Sequence, residues 1–396
     1  MSISDGTVSY CEYCKGVLLT EKELELHAHQ SCLDSINDFH NSLTSNIEYF
    51  RLDLDEYNAI LQLEQLNSYL SDESIESGTK VLDTSLYNNR ISSISLNLEH
   101  VFNLKDIKIP DFRVIFENFP SLLSLSVKNA DWKFIDSILQ ISNRIFFLNL
   151  SNNNLDKIPI ALYKIRSLRI LNLSDNLLTE LPLNLNNFTL LNSLHLSNNK
   201  LDRIPRFIMN FKKLKNLRIN GNNISAFPQT IMYLKCLTDL DISNNSITSI
   251  PLNIKFLTSL STLNASNNQI KVVSDSFHDL TNLKMVDLSN NQLSSIPKTL
   301  LQNDKIFSLN LSQNKIKSIN KLPYSLNSLN LSNNDLTYLP ETLFTKLTNL
   351  TNINLANNNL QTVPQTLLNL PNLRYLKISG NPIAKNLVSR NSILVV

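Results

Sequence analysis

Residues 145 to 159 read IFFLNLSNNNLDKIP, and nearly the same text returns at 168 (LRILNLSDNLLTELP), 191, 214 and 237, always 23 residues later. Further copies begin at Leu260, Leu283 and Ile306, then after 20 residues at Leu326, after 24 at Leu350, and finally at Leu373. Eleven units share the pattern L-x-x-L-x-L-x-x-N-x-L-x-x-I/L-P. A period of this length is the signature of a stacked architecture in which each unit contacts only its neighbours.

Each position in the unit has a mechanical reason. The L-x-L alternation has the period of a strand with one face buried, so successive units are expected to form a parallel sheet. Asparagine recurs where the chain leaves the strand: Asn153, Asn176, Asn199, Asn222, Asn245, Asn268, Asn291, Asn314, Asn334, Asn358 and Asn381. An amide there can both donate to and accept from backbone groups that would otherwise be buried unpaired. The proline after Ile158, Leu181, Ile204, Phe227, Ile250, Ile296, Leu339 and Val363 fixes φ and starts the return segment. The few apolar side chains of one unit cannot offset the entropy of ordering it alone, so stability must come from stacking.

This pattern resembles the leucine-rich repeat superfamily, and its 23-residue form with IP or LP is most similar to the intracellular class that includes Ras-suppressor-type proteins. The resemblance implies an α/β solenoid, a horseshoe with a parallel concave β-sheet, and a role in holding other proteins. It spans residues 145–383. Upstream, LLSLSVKNADWKFI keeps Leu122, Leu125 and Val127 but has Ala130 in place of asparagine, and ISSISLNLEHV is more degenerate. Residues 81–144 are therefore expected to form an N-terminal cap with worn repeats, and 384–396 a C-terminal cap.

Three of the four cysteines lie in the first 32 residues. Cys11, Cys14, His27 and Cys32 have the spacing C-x2-C-x12-H-x4-C, which suits a tetrahedral Zn2+ held by thiolates and an imidazole. His29 is a competing ligand. Leu18 and Leu24 supply a minimal apolar core, and Thr20 to Glu23 read as a capping box opening a helix. Residues 1–32 thus resemble a CCHC-type zinc finger whose metal is structural, in the manner of small fingers that bind ubiquitin. Glu21, Glu23 and Glu25 would repel phosphate, which argues against nucleic acid.

Residues 33–80 follow as an acidic segment and linker. Ten acidic residues and one arginine fall between 33 and 76, a local balance of 1 − 10 = −9 against +2 for the whole chain. Ile36, His40, Leu43, Ile47, Phe50, Leu54, Tyr57 and Leu61 alternate four and three apart, the seam of a long heptad helix that could dock in cis or form a coiled coil. Two short matches are weaker: RVIF at Arg113 to Phe116 resembles the docking motif of partners of protein phosphatase 1, and Leu394 to Val396 could extend a partner's sheet.

Composition bounds the function. Apolar residues make up 42% and charged residues 18%, enough for a core and too little charge for a disordered chain. No apolar run approaches a membrane span. Asn-x-Ser triplets at Asn149, Asn172, Asn264, Asn310 and Asn330 would crowd one surface with glycans in a secreted protein, so a cytoplasmic location is expected, with the nucleus as the alternative. No phosphate loop, nucleophile elbow or H-E-x-x-H is present, and a non-enzymatic scaffold or adaptor is expected. On the strands, most outward positions carry amide or hydroxyl groups. His195, Arg218, Asp239, Asp241, Met285 and Asp287 depart from that background and are the expected binding residues for a protein client. The family resemblance suggests small-GTPase or phosphatase signalling; the finger suggests, alternatively, a ubiquitin-linked factor whose repeats select the substrate.

Overall fold

The computed structural model describes residues 82–87, 90–98, 119–140, 144–383 and 394–395. The expected zinc ligands, the acidic heptad segment and the RVIF tetrapeptide lie outside them. The chain divides into two compact units, Met1–Leu171 and Asn172–Val396.

In the first unit, β1 (Leu82–Tyr87) runs antiparallel to β2 (Arg90–Asn97). β2 is parallel to β3 (Ser124–Lys128), and β3 to β4 (Phe147–Asn149). The degenerate stretches thus hold true strand layers: Ile94, Leu125 and Leu148 stand in register, all fully buried. After β3 comes α1 (Trp132–Leu139), where Asp131 accepts from the Phe134 N–H at 2.7 Å as its N-cap and Ile135, Ile138 and Leu139 are buried. Ala130 lacks the asparagine side chain, yet its own N–H donates to Asn153 Oδ1 at 2.9 Å, so the following layer supplies the acceptor.

In the second unit, three-residue strands stack in chain order, every neighbour parallel, from Ser193–His195 through Asn216–Arg218, Asp239–Asp241, Thr262–Asn264 and Met285–Asp287 to Tyr375–Lys377. Their central residues, Leu194, Leu217, Leu240, Leu263, Val286, Leu309, Leu329, Ile353 and Leu376, form one buried column. Leu394–Val395 adds a last parallel strand beside Tyr375–Lys377. These C-terminal residues are therefore engaged by the chain's own final repeat.

The asparagine column is as the sequence implies. Asn268 donates from Nδ2 to the carbonyls of Ile242 (3.0 Å), Ala265 (3.2 Å) and Ser266 (3.1 Å), while its Oδ1 accepts from the Ile247 N–H at 2.9 Å. Asn222, Asn291 and Asn314 repeat the set one layer at a time. The residue just before it takes a left-handed conformation: Asn198, Asn244, Asn267 and Asn290 lie at φ between 51° and 53°, and Gly221 at 66°. Asparagine tolerates this region better than other non-glycine residues.

Past the strand, proline stands at the start of each short return helix with φ between −56° and −80°. Most are single 3-10 segments of five residues, such as Arg206–Asn210, Gln229–Tyr233 and Leu252–Phe256. The layer beginning at Leu260 has no proline at this point. There Val272–Val273 instead pairs in parallel with Ser249–Ile250.

Candidate binding face

Strand register sorts the outward side chains of the second unit into two lanes. One runs through Ser193, Asn216, Asp239, Thr262, Met285 and Ser308; the other through His195, Arg218, Asp241, Asn264, Asp287 and Asn310. Strands stand about 4.8 Å apart, so His195 and Asp287 are separated by roughly 19 Å.

The second lane has an internal duty. Asn264 Oδ1 accepts from the Ser266 N–H (3.2 Å) and hydroxyl (2.8 Å), and Asn310 and Asn330 treat Ser312 and Ser332 alike. This is an Asx turn that closes the exit of the strand. Asp241 and Asp287 do the same, Asp241 Oδ1 accepting from Ser243 N–H (3.0 Å) and hydroxyl (2.7 Å), Asp287 Oδ1 from Ser289 N–H (2.8 Å) and hydroxyl (2.6 Å). Asp287 Oδ2 also accepts from Asn310 Nδ2 at 3.0 Å. Both carboxylates are thus partly structural. Asp239 is less committed, its Oδ2 accepting only the Thr238 hydroxyl, at 2.6 Å, among the contacts described.

His195 and Arg218 occupy the same lane without an Asx acceptor. His195 is half-buried beside Arg218 in register, and its pKa is lowered to about 4, first by burial and then by the arginine's charge. It is neutral near pH 7 and offers hydrogen bonding without charge. Arg218 is exposed, with Asp241 as its neighbour on the other side.

The six expected residues therefore do not form one cluster. His195, Arg218, Asp239 and Asp241 sit on three consecutive strands, while Met285 and Asp287 lie beyond the intervening strand Thr262–Asn264. Met285 remains 43% exposed and is joined by a residue that sequence reasoning missed, Phe307, at 40% exposure on the adjacent layer. The Phe307 N–H donates to the Lys284 carbonyl at 3.0 Å, which places it directly beside the Met285 strand. Its signal was available: from Ser193–His195 to Tyr375–Lys377, the position before each three-residue strand is otherwise Asn, Lys, Thr, Ser or Arg.

Among the described residues, no group of three or more His, Cys, Asp or Glu could hold a metal, and no helix is long and apolar enough to cross a membrane. The only cysteine among them, Cys236, is exposed and free.

One strand per layer, an asparagine ladder and a short return helix define a leucine-rich repeat protein. The comparisons agree. The family model for leucine rich repeats matches residues 212–270, 258–316 and 325–383. A leucine-rich repeat protein of Leptospira interrogans is 30% identical, with 68% of this chain and 69% of that one covered and a TM-score of 0.60. This chain belongs to the leucine-rich repeat family. An internalin of Listeria monocytogenes, 21% identical over 85% of this chain and 96% of its own, shares the fold with a TM-score of 0.60. The repeat domain of FLRT2, from an octameric complex with latrophilin 3 and Unc5D, is 26% identical over 65% of this chain and 84% of its own, with a TM-score of 0.56. No curated protein matches the chain.

Proposed function

We propose that this chain is a non-enzymatic scaffold that holds a protein client on the outward face of its strands, between His195 and Phe307. The observation that carries this reading is local. At His195 and Arg218 the lane drops the side chain that its own turn uses, and at Met285 and Phe307 apolar groups stand exposed where neighbouring layers carry polar ones. Positions that abandon a structural duty, with apolar anchors beside them, fit the anatomy of a protein interface. The FLRT2 repeat domain, which assembles with other proteins, lends support by analogy.

In this reading Cys11, Cys14, His27 and Cys32 bind structural Zn2+, and the head with the acidic segment 33–80 forms a second attachment point in a cytoplasmic adaptor. Small-GTPase or phosphatase signalling is the setting that the repeat class suggests; a ubiquitin-linked role for the head is the alternative. One Zn2+ per chain, lost on Cys11→Ser with Cys14→Ser, is expected by metal analysis. If labelled ubiquitin shows no resonance shifts on titration with the full chain, the alternative falls.

The test of the face uses the full chain bearing Arg218→Ala, Asp241→Asn and Asp287→Asn together. Asparagine keeps each Asx turn, as Asn264 and Asn310 show, so charge is removed with the fold retained. Affinity capture read by mass spectrometry should lose the client; unchanged capture moves the site elsewhere.

A further inference from the structure

The return segments carry a second surface of different chemistry. Tyr233 ends the helix Gln229–Tyr233, and Phe256 ends Leu252–Phe256 in the next layer. Each ring lies under a lysine from 21 residues earlier: Lys212 Nζ is 5.9 Å from the Tyr233 centroid, and Lys235 Nζ is 4.9 Å from that of Phe256. Lys255 Nζ adds a second ammonium 5.5 Å from Phe256, and Lys235 also donates to the Phe256 carbonyl at 2.8 Å. The rings are nonetheless open, Tyr233 at 54% and Phe256 at 44% exposure, and Leu252 is 53% exposed.

Cation–π pairing alone accounts for lysines above rings, but not for the local excess of positive charge. Between residues 205 and 258 there are seven Lys or Arg and two Asp, and both aspartates, Asp239 and Asp241, belong to the strand. The arrangement is also bounded. One repeat further, the lysine position is Thr258 and the ring position Asp279. Elsewhere, Tyr324 sits under Lys321 and Lys346, but that layer also supplies a carboxylate, Asp304, which accepts from the Tyr324 N–H at 3.0 Å.

We propose that Lys212, Tyr233, Lys235, Leu252, Lys255 and Phe256 form a docking surface for an acidic peptide segment bearing apolar side chains, supplied by a second protein. The exposed rings and Leu252 seat aliphatic groups, and the three ammonium groups at their margins pair with carboxylates, giving an apolar centre with a charged rim. A single-stranded nucleic acid fits less well. None of the six is an arginine, whose planar fork suits phosphate.

The experiment uses the full chain and a fluorescein-labelled 20-residue peptide with Leu or Phe at every third and fourth position and Asp or Glu elsewhere. Anisotropy should show binding that weakens between 50 and 200 mM salt, and tighter than that of a poly-Glu peptide of equal length. Lys212→Glu with Lys235→Glu should weaken it by about tenfold, as should Tyr233→Ala with Phe256→Ala, with unfolding temperatures unchanged because all four side chains are exposed. Equal binding of poly-Glu, tighter binding of a 20-mer of oligo-dT, or indifference to both variants would each overturn the proposal. Client capture by the strand face should persist in both variants, so this proposal and that reading can fail independently.

Discussion

At the scale of single residues, asparagine can do three separate jobs within one turn of a layer, as Asn264, Asn267 and Asn268 do. The buried one is the most expensive to lose. Replacing Asn268 by alanine strands the Ile247 N–H and takes one of two donors from each of the Ile242, Ala265 and Ser266 carbonyls, which keep Asn245, Asn291 and the Asn244 N–H; a buried group left unpaired costs about 1 to 3 kcal/mol, and a loss of that size is expected in urea unfolding. That column was legible in the sequence because its spacing is strict. The left-handed residue before it was not, since in SNN two identical letters take opposite roles, and only the backbone shows that Asn267 carries φ 53°. His195 gives a pH signature. Its pKa is about 4 in the folded chain against 6.5 unfolded, so between those values the unfolded chain holds more proton. Stability therefore falls as pH drops from 6.5 through 4. His195→Asn removes this dependence and recreates the lane's usual acceptor; between pH 7 and 4 the unmodified chain should lose on the order of 2 kcal/mol more than the variant, measured as the difference between their urea midpoints at each pH.

At the scale of the element, the strand is the constant and the return segment the variable. Three residues suffice for each strand of the second unit because register with both neighbours supplies every ladder bond. The alternation of leucines announced this, and parallel pairing followed from it. The return segments were less readable: proline marks their start, but its absence does not say what replaces it. After Ile270 the chain forms Val272–Val273, and Ser274 N–H donates to the Ile250 carbonyl at 2.9 Å. Ser274→Pro would restore the common motif yet remove that donor, and should lower stability by about 1 to 3 kcal/mol, seen as a drop in unfolding temperature. A gain on this substitution would mean that the small pair contributes nothing.

At the scale of the whole molecule, energy is shared between adjacent layers, which makes the number of layers adjustable. Excising residues 237–259 joins Cys236 to Leu260 in the phase of the repeat. The shortened chain should fold with an unchanged circular dichroism spectrum per residue and a smaller urea m-value, in proportion to the surface removed; aggregation would show that layers are not equivalent. Periodicity made the stack legible from the sequence but could not reveal what arises between layers. Phe307 beside Met285, and lysines over the rings of the following repeat, depend on which side chains from different turns of the coil fall side by side.

The short layer beginning at Ile306 shows where such change is absorbed. Ile316 N–H reaches Asn334 Oδ1 across 18 positions in place of the usual 21, at the same 3.0 Å. A lineage can thus trim or pad the back of the coil without disturbing the front. The contact surface itself can be lengthened only in whole-strand increments, like a ruler that gains marks but never changes their spacing.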